Sequence, residues 1–261
     1  MMPHIVAYVG SRNPESRTCQ AITMVKGTLD GIMPVEWTIL TPNDTVILPV
    51  DGTAREFHTG IDHVEMRGND DSTRLKSLFE QCDYLILGSP TYGHNVSGDM
   101  KNLMDRLTYW GHLFHLANKP GRAFVSATTN GFLTVGGMLE QFMETLGIAV
   151  DDTTYNTTYD PFDEHQAKLL ADDIATTLKN LPKHPAFNPS SGQEMMFNAY
   201  RQQFVRRGKT DYEYRYWKEH GLFTCDTLHD YFVRISRDPR LNAMTAPLMG
   251  RRQSNEEGTG K

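Results

Sequence analysis

The chain has 261 residues, 39% of them apolar and 22% charged, a balance that suits one generous α/β domain or a domain with a substantial extension. Its formal charge of -6 argues against a general affinity for nucleic acid or for an anionic membrane. The N-terminus MMPHIVAYVG lacks a basic leader, and no stretch approaches the roughly eighteen uninterrupted apolar residues of a membrane helix. The expectation is a soluble, cytoplasmic protein.

His4–Val9 (HIVAYV) reads as a strand, followed by Gly10-Ser11 and a helix from about Ser16 to Leu29. Val35–Leu40 reads as a second strand. From Thr41 to Asp71 the chain holds Pro, Gly, Asp and His with little periodicity, too long for a plain connection; it is a lid or an excursion at a site. Thr73–Gln81 is helical, with Leu75, Leu78 and Phe79 on one side. Tyr84–Leu87 is a short apolar run stopped by Gly88-Ser89-Pro90, which suits a buried parallel strand. A helix runs from Ser97 to about His112. Arg122–Ala127 is a fourth strand, Gly136–Leu146 a helix ending at Gly147, Ile148–Val150 a fifth strand, and Glu164–Leu181 an amphipathic helix stopping before Pro182. Residues from about Ser191 to Pro239 are helical, aromatic and charged, and the last dozen are polar and expected to be disordered. This divides the chain into a domain over 1–185, a helical C-terminal arm over 186–245 and a tail over 246–261. Strands separated by helices of this length imply βαβ crossovers and a parallel sheet covered on both faces. Several doubly wound folds share that pattern, and it selects no ligand.

Two loops carry the chemistry. The first, Gly10-Ser11-Arg12-Asn13-Pro14-Glu15-Ser16-Arg17-Thr18, lies between the first strand and the first helix. Free first-turn amides, the positive end of a helix dipole, hydroxyls at Ser11, Ser16 and Thr18, and Arg12 or Arg17 together suit a phosphate. The same residues also suit a polar loop in which Ser16 is only a helix N-cap. Neither GxGxxG nor GxxxxGK[ST] occurs. The second loop, Gly88 to Gly98, offers glycines for close backbone approach, Tyr92 for stacking on a ring, and Asn95 for polar ring atoms; it also reads as ordinary turn chemistry.

Gly88–Arg106 (GSPTYGHNVSGDMKNLMDR) resembles the flavin-ring loop and following helix of the NADPH-dependent FMN reductase and iron–sulfur flavoprotein group of the flavodoxin-like superfamily. The likeness rests on the Gly-Ser-Pro-x-Tyr start, the Asn-Val-Ser-Gly helix opening, and Lys101, Asp105 and Arg106 at the helix end. The first loop is similar to that group's phosphate loop, but Arg-Asn-Pro-Glu stands where Pro-Arg is commoner, which leaves the phosphate arginine open. The resemblance covers roughly residues 4 to 180. It implies an α/β, flavodoxin-like three-layer sandwich with a five-stranded parallel sheet in the order 2-1-3-4-5, carrying a helical C-terminal extension. It implies FMN held by Ser11, Arg12, Asn13, Ser16, Arg17 and Thr18 on the phosphate side and by Pro90, Thr91, Tyr92, Gly93, His94 and Asn95 on the ring side. Thr128, Thr129, Asn130 and Gly131 border the isoalloxazine, and Gly136-Gly137 resembles the opening of the next helix.

The iron–sulfur branch carries its cysteines in the excursion before the third strand, where this chain has none; thiolates are needed to hold such a cluster, so no cluster is expected. Cys19, Cys82 and Cys225 are sparse and form no CxxC pair, which fits buried thiols in a reducing compartment. His58 and His63 with Asp51, Asp62 and Glu65 offer only weak metal spacing, and no metal is expected; the excursion is taken to shape a substrate mouth. With FMN bound, NAD(P)H is the implied electron donor, and the second substrate a small organic acceptor: a quinone, a nitro or azo compound, or a specialised metabolite. Tyr92 and His94 are the candidates for a proton donor, although His94 also reads as an exposed loop residue. An electron carrier serving a protein partner is the alternative. In the arm, Tyr200, Phe204, Tyr212, Tyr214, Tyr216 and Trp217 interleave with Arg201, Arg206, Arg207, Lys209 and Arg215. Asp211, Glu213 and Glu219 offset those charges, so packing on the domain or on a sister subunit is preferred to a nucleic-acid platform. Related flavoproteins assemble as dimers or tetramers, and a homodimer or homotetramer is expected.

Overall fold

The computed structural model describes residues 2–183 and 185–238; residues 239–245 of the expected arm and the expected tail, 246–261, lie outside the described residues. The strands are β1 (His4–Val9), β2 (Glu36–Leu40), β3 (Tyr84–Pro90), β4 (Pro120–Ala127), β5 (Ala149–Val150) and β6 (Thr154–Thr157). The helices are α1 (Arg17–Asp30), α2 (Glu56–Thr59), α3 (Ser72–Gln81), α4 (Gly98–Gly111), α5 (Phe132–Thr145), α6 (Glu164–Asn180), α7 (Ser191–Arg207), α8 (Tyr212–Glu219) and α9 (Leu228–Arg237). The strands pair in parallel in the order β2-β1-β3-β4-β5, with β6 resuming alongside β4. This is the flavodoxin-like order that the family resemblance implies.

Successive residues of the central strands bury on opposite faces, as period-two geometry requires. Ile5, Ala7 and Val9 of β1 with Tyr84 and Ile86 of β3 pack under α1 and α6. Val6, Tyr8, Leu85 and Leu87 pack on the other face with side chains of α3, α4 and α5. Both faces are covered, which is why these strands read as continuous apolar runs.

Three boundaries differ from the sequence reading. β3 does not stop at Leu87 but runs on through Gly88-Ser89-Pro90, paired with Phe124, Val125 and Ser126 of β4; Pro90 is tolerated because it takes the last rung. The fifth strand comes in two segments. Ala149 and Val150 pair with the start of β4, the chain leaves the ladder at 151–153, and Thr154–Thr157 pair with its end. The break places Asp151 against the Tyr84 hydroxyl (2.5 Å), beside Arg122, which reaches Asp173 at 2.8 Å. Burial pushes the Asp151 carboxyl up and the Tyr84 hydroxyl well up. Finally, Gly136-Gly137 do not open a helix. α5 begins at Phe132 behind Gly131, which caps it with φ +79°, and Gly136 lies within it, where a Cβ would stand 2.3 Å from the Tyr155 hydroxyl of β6.

The excursion from Thr41 to Asp71 is tied down by a buried charge cluster. From α4, Arg106 donates to Asp62 and Asp70 (both 2.7 Å), to Ser72 (2.6 Å) and to the Leu48 carbonyl (3.0 Å). From α3, Lys76 reaches Asp62 (2.7 Å) and Glu65 (2.6 Å). Burial alone would raise the Asp70 carboxyl; hydrogen bonds from Arg106 and Ser72 overcome it and hold it at about 2. Helices α7, α8 and α9 build a third apolar cluster around Phe197, Phe204, Trp217, Leu228 and Phe232, and it includes Leu113 and Phe114, just past α4. Phe114 sits at φ +47°, with its ring 6.1 Å from Phe197 and 6.2 Å from Trp217. The arm therefore packs on its own domain, and Phe204, Tyr216 and Trp217 are buried in that contact rather than displayed.

Candidate functional site

Parallel strands present ligands at their carboxyl ends, at the point where strand order reverses. Here β1 and β3 are neighbours that lead away in opposite directions, and three loops gather beyond them. They are bonded pairwise. Gly10 N donates to the Gly88 carbonyl (2.8 Å), joining the first loop to the second. Thr18 Oγ1 and Ser126 Oγ share a hydrogen bond of 2.7 Å, joining the first to the end of β4. A Cβ on Gly131 would meet His94 Cα at 3.0 Å and Thr91 Cγ2 at 3.1 Å, so the third loop lies directly against the second.

In the first loop the backbone is set by local bonds: Asn13 N donates to Ser11 Oγ (3.3 Å), Glu15 N to Asn13 Oδ1 (2.9 Å) and Cys19 N to the capping Ser16 Oγ (3.4 Å). Ser11, Ser16 and Thr18 are buried, and their hydroxyls are engaged within the protein. Cys19 N is already taken by Ser16, so what the loop turns to a ligand is the earlier first-turn amides of α1 and the helix dipole. The two arginines part company. Arg17 turns along the sheet ends and donates to Asn156 Oδ1 (3.1 Å), Thr158 Oγ1 (3.1 Å) and the Ala127 carbonyl (3.3 Å), while Asn156 Nδ2 donates back to the Arg17 carbonyl (3.2 Å). Arg12 is exposed and meets Asp99 with two bonds, 3.0 and 2.8 Å. Burial, and then the charge of Asp99, push the Tyr8 hydroxyl above its ordinary value.

The second loop is a two-residue reversal. Tyr92 and Asn95 exchange backbone bonds of 3.0 Å each way, with Gly93 at φ +56° and His94 at φ +61° between them. Two successive positive φ values define a primed turn, and histidine is among the few side chains that enter that region readily. Tyr92 is 59% exposed. Thr91 N donates to the Ser126 carbonyl (2.8 Å), but Thr91 Oγ1 is buried with no hydrogen-bond partner among the described residues. A buried hydroxyl without a partner is costly and uncommon, and here it belongs to a threonine whose methyl group lies against Gly131, where the second and third loops meet. That orphaned atom, the first-turn amides and the exposed Tyr92 fit a flat ligand carrying an anionic tail. Thr128, Thr129 and Asn130 follow β4 at the surface.

Sequence reasoning missed Asp99 and Asn156. Asp99 carried a faint signal, an acidic residue in the first turn of the helix after the ring loop. Asn156 lies in a strand the sequence did not announce. The weak metal spacing does not assemble: Asp51 bonds Thr53 and Arg55, His58 faces Asp211 at 3.7 Å, Asp62 and Glu65 serve Lys76, and no metal-binding group of three occurs among the described residues. At the opposite end of the sheet a cleft of about 530 Å³ is lined by Glu80, His115, Asn118 and Lys119. Its polar groups serve each other: His115 meets Glu80 at 2.8 Å, and Asn118 bonds the Pro185 carbonyl and Phe187 N.

Residues 3–158 match the family model of the NADPH-dependent FMN reductases, a span that contains all three loops. A curated relative, an iron–sulfur flavoprotein of Archaeoglobus fulgidus, is 29% identical over 160 residues, 59% of this chain and 71% of that one. Among solved structures, RosB with bound 8-demethyl-8-formylriboflavin-5'-phosphate superposes with a TM-score of 0.56 at 12% identity, over 79% of this chain and 88% of that one. A flavone reductase does so with a TM-score of 0.53 at 11% identity, over 71% and 66%. At such identities these two structures speak for the fold. No described helix is long and apolar enough to cross a membrane.

Proposed function

The chain belongs to the NADPH-dependent FMN reductase family, with FMN as cofactor and NAD(P)H as electron donor, and from that premise we propose that it reduces a small organic acceptor at the three-loop site. The acceptor class is a quinone, a nitro or azo compound, or a specialised metabolite. One observation carries the reading: the loops after β1, β3 and β4 converge beyond the strand ends and leave the Thr91 hydroxyl buried and unpartnered between them.

FMN supplies the hydride chemistry when bound, and the protein supplies position and electrostatics. On the phosphate side we assign the first-turn amides of α1 and the loop Ser11-Arg12-Asn13, with Ser16 and Thr18 shaping the loop from within. On the ring side we assign Pro90 to Asn95 with Thr128 to Gly131. With FMN bound, the unpartnered Thr91 Oγ1 would serve a ring heteroatom and the exposed Tyr92 would offer an aromatic face. The exposed apolar side chains Tyr92, Leu133 and Tyr159 sit on the second loop, at the start of α5 and after β6, and suit an uncharged, flat acceptor. Tyr92 and His94, both on the second loop, are the candidates for a proton donor.

A steady-state assay with NADPH, FMN-loaded protein and a benzoquinone tests the reading, with a one-electron protein acceptor such as cytochrome c in parallel. Turnover with the quinone and little with cytochrome c is the expected outcome. Absence of turnover with either pyridine nucleotide would overturn it, and preference for the protein acceptor would favour an electron carrier. Assembly as a homodimer or homotetramer belongs to the same proposal, and sedimentation velocity checks it.

A further inference from the structure

The sequence left open which arginine serves the phosphate, and the two side chains now differ in what they can release. The Arg17 guanidinium satisfies two side-chain acceptors and a carbonyl, so turning it outward would break three hydrogen bonds at once, and Asn156 also donates to the Arg17 backbone carbonyl. Arg12 has one partner. Its guanidinium lies 3.0 and 2.8 Å from the two oxygens of Asp99, and the side chains are 66% and 24% exposed. Its backbone is held separately, because Asn43 Nδ2 donates to the Arg12 carbonyl at 3.2 Å. The side chain can therefore swing without moving the loop. Asp99 stands in the first turn of α4, directly beyond the ring loop, so the pair bridges the phosphate loop and the ring loop.

We propose that Asp99 is an affinity-setting residue of this site: it holds Arg12 in reserve, and Arg12 exchanges the Asp99 carboxylate for the phosphate when FMN binds. This rests on the FMN reading above. An exposed ion pair contributes little and is screened by salt, and a phosphate dianion offers Arg12 the same two-pronged bond at a higher charge, which favours the exchange. The carboxylate left behind still opposes the exchange in two ways. It competes for Arg12, and its own charge repels the incoming dianion. The site is thereby tuned toward an FMN that can leave rather than one held permanently.

The test compares wild type, Asp99→Asn, Arg12→Gln and the double variant, measuring dissociation constants for FMN and for riboflavin by quenching of flavin fluorescence at low and high salt. Riboflavin has the ring without the phosphate and reports the ring side alone. Asp99→Asn is expected to tighten FMN by about three- to tenfold at low salt and less at high salt, with riboflavin unchanged. Arg12→Gln is expected to weaken FMN alone, and in that background the gain from Asp99→Asn should shrink to within about twofold. The proposal is overturned if Asp99→Asn leaves FMN unchanged, or if it weakens both flavins alike, which would make the pair a plain structural brace. Wild-type protein that binds neither flavin would instead overturn the FMN reading itself.

Discussion

Thr91→Val keeps the shape of the side chain and removes the one buried hydroxyl that the site leaves without a partner. If that hydroxyl serves the flavin, FMN affinity should fall by about five- to tenfold, the worth of roughly one net hydrogen bond of about 1 kcal/mol. The unloaded protein should melt no lower than wild type, because an unpaired buried hydroxyl stabilises nothing. A lowered melting point with unchanged FMN affinity would show that Thr91 is only structural. Asp70 makes a prediction of a different kind. Its carboxyl is held at about 2, below the value near 3.9 of an unfolded aspartate. A group whose folded pKa is depressed stabilises above its unfolded pKa and loses that contribution as pH falls through its folded pKa. Urea unfolding between about pH 5 and 2 should therefore show stability falling mainly below about 4. The slope should flatten in Asp70→Asn, whose overall stability is lower because Arg106 loses a buried partner.

Gly136→Ala examines how the helix after β4 is seated. A Cβ there would stand 2.3 Å from the Tyr155 hydroxyl, so α5 and β6 can approach only because that position has no side chain. The substitution should cost about 1–3 kcal/mol by overpacking. Tyr155→Leu should recover part of that loss in the double variant, and strictly additive losses would argue against the contact. The same region shows why some of the architecture was legible and some was not. Turn chemistry between Gly88 and Gly98 was legible within a few residues, whereas the cap at Gly131 was not, and the helix was read as starting at Gly136. β6 was hidden, because the fifth strand was read as ending at Val150 and Thr154–Thr157 is too short to show alternation. Gly136-Gly137 read as a helix opening because glycine is ambiguous between freedom of φ and close approach, and only the neighbouring strand decides. Arg17 and Arg12 looked equivalent for a similar reason: their partners Asn156 and Asp99 are distant in sequence.

At the scale of the molecule, the arm is joined to the domain by Leu113 and Phe114, which share its apolar cluster. Far-ultraviolet dichroism and tryptophan fluorescence should therefore report one shared unfolding transition, since Trp217 lies in the arm and Trp110 in α4. Two separated transitions would mean that residues 186–238 behave as an independent unit. The excursion is held in turn by charges from α3 and α4, together with Ile47 and Phe57 packed against the core. What the Gly93–His94 reversal adds is temporal. Its two paired amide bonds fix the ring loop before any ligand arrives, and its neighbours on both sides are already bonded to it or packed against it. Flavin capture then has no slow rearrangement to wait for. In a stopped-flow trace the fluorescence should decay as a single exponential whose rate rises linearly with protein concentration, the signature of one bimolecular encounter.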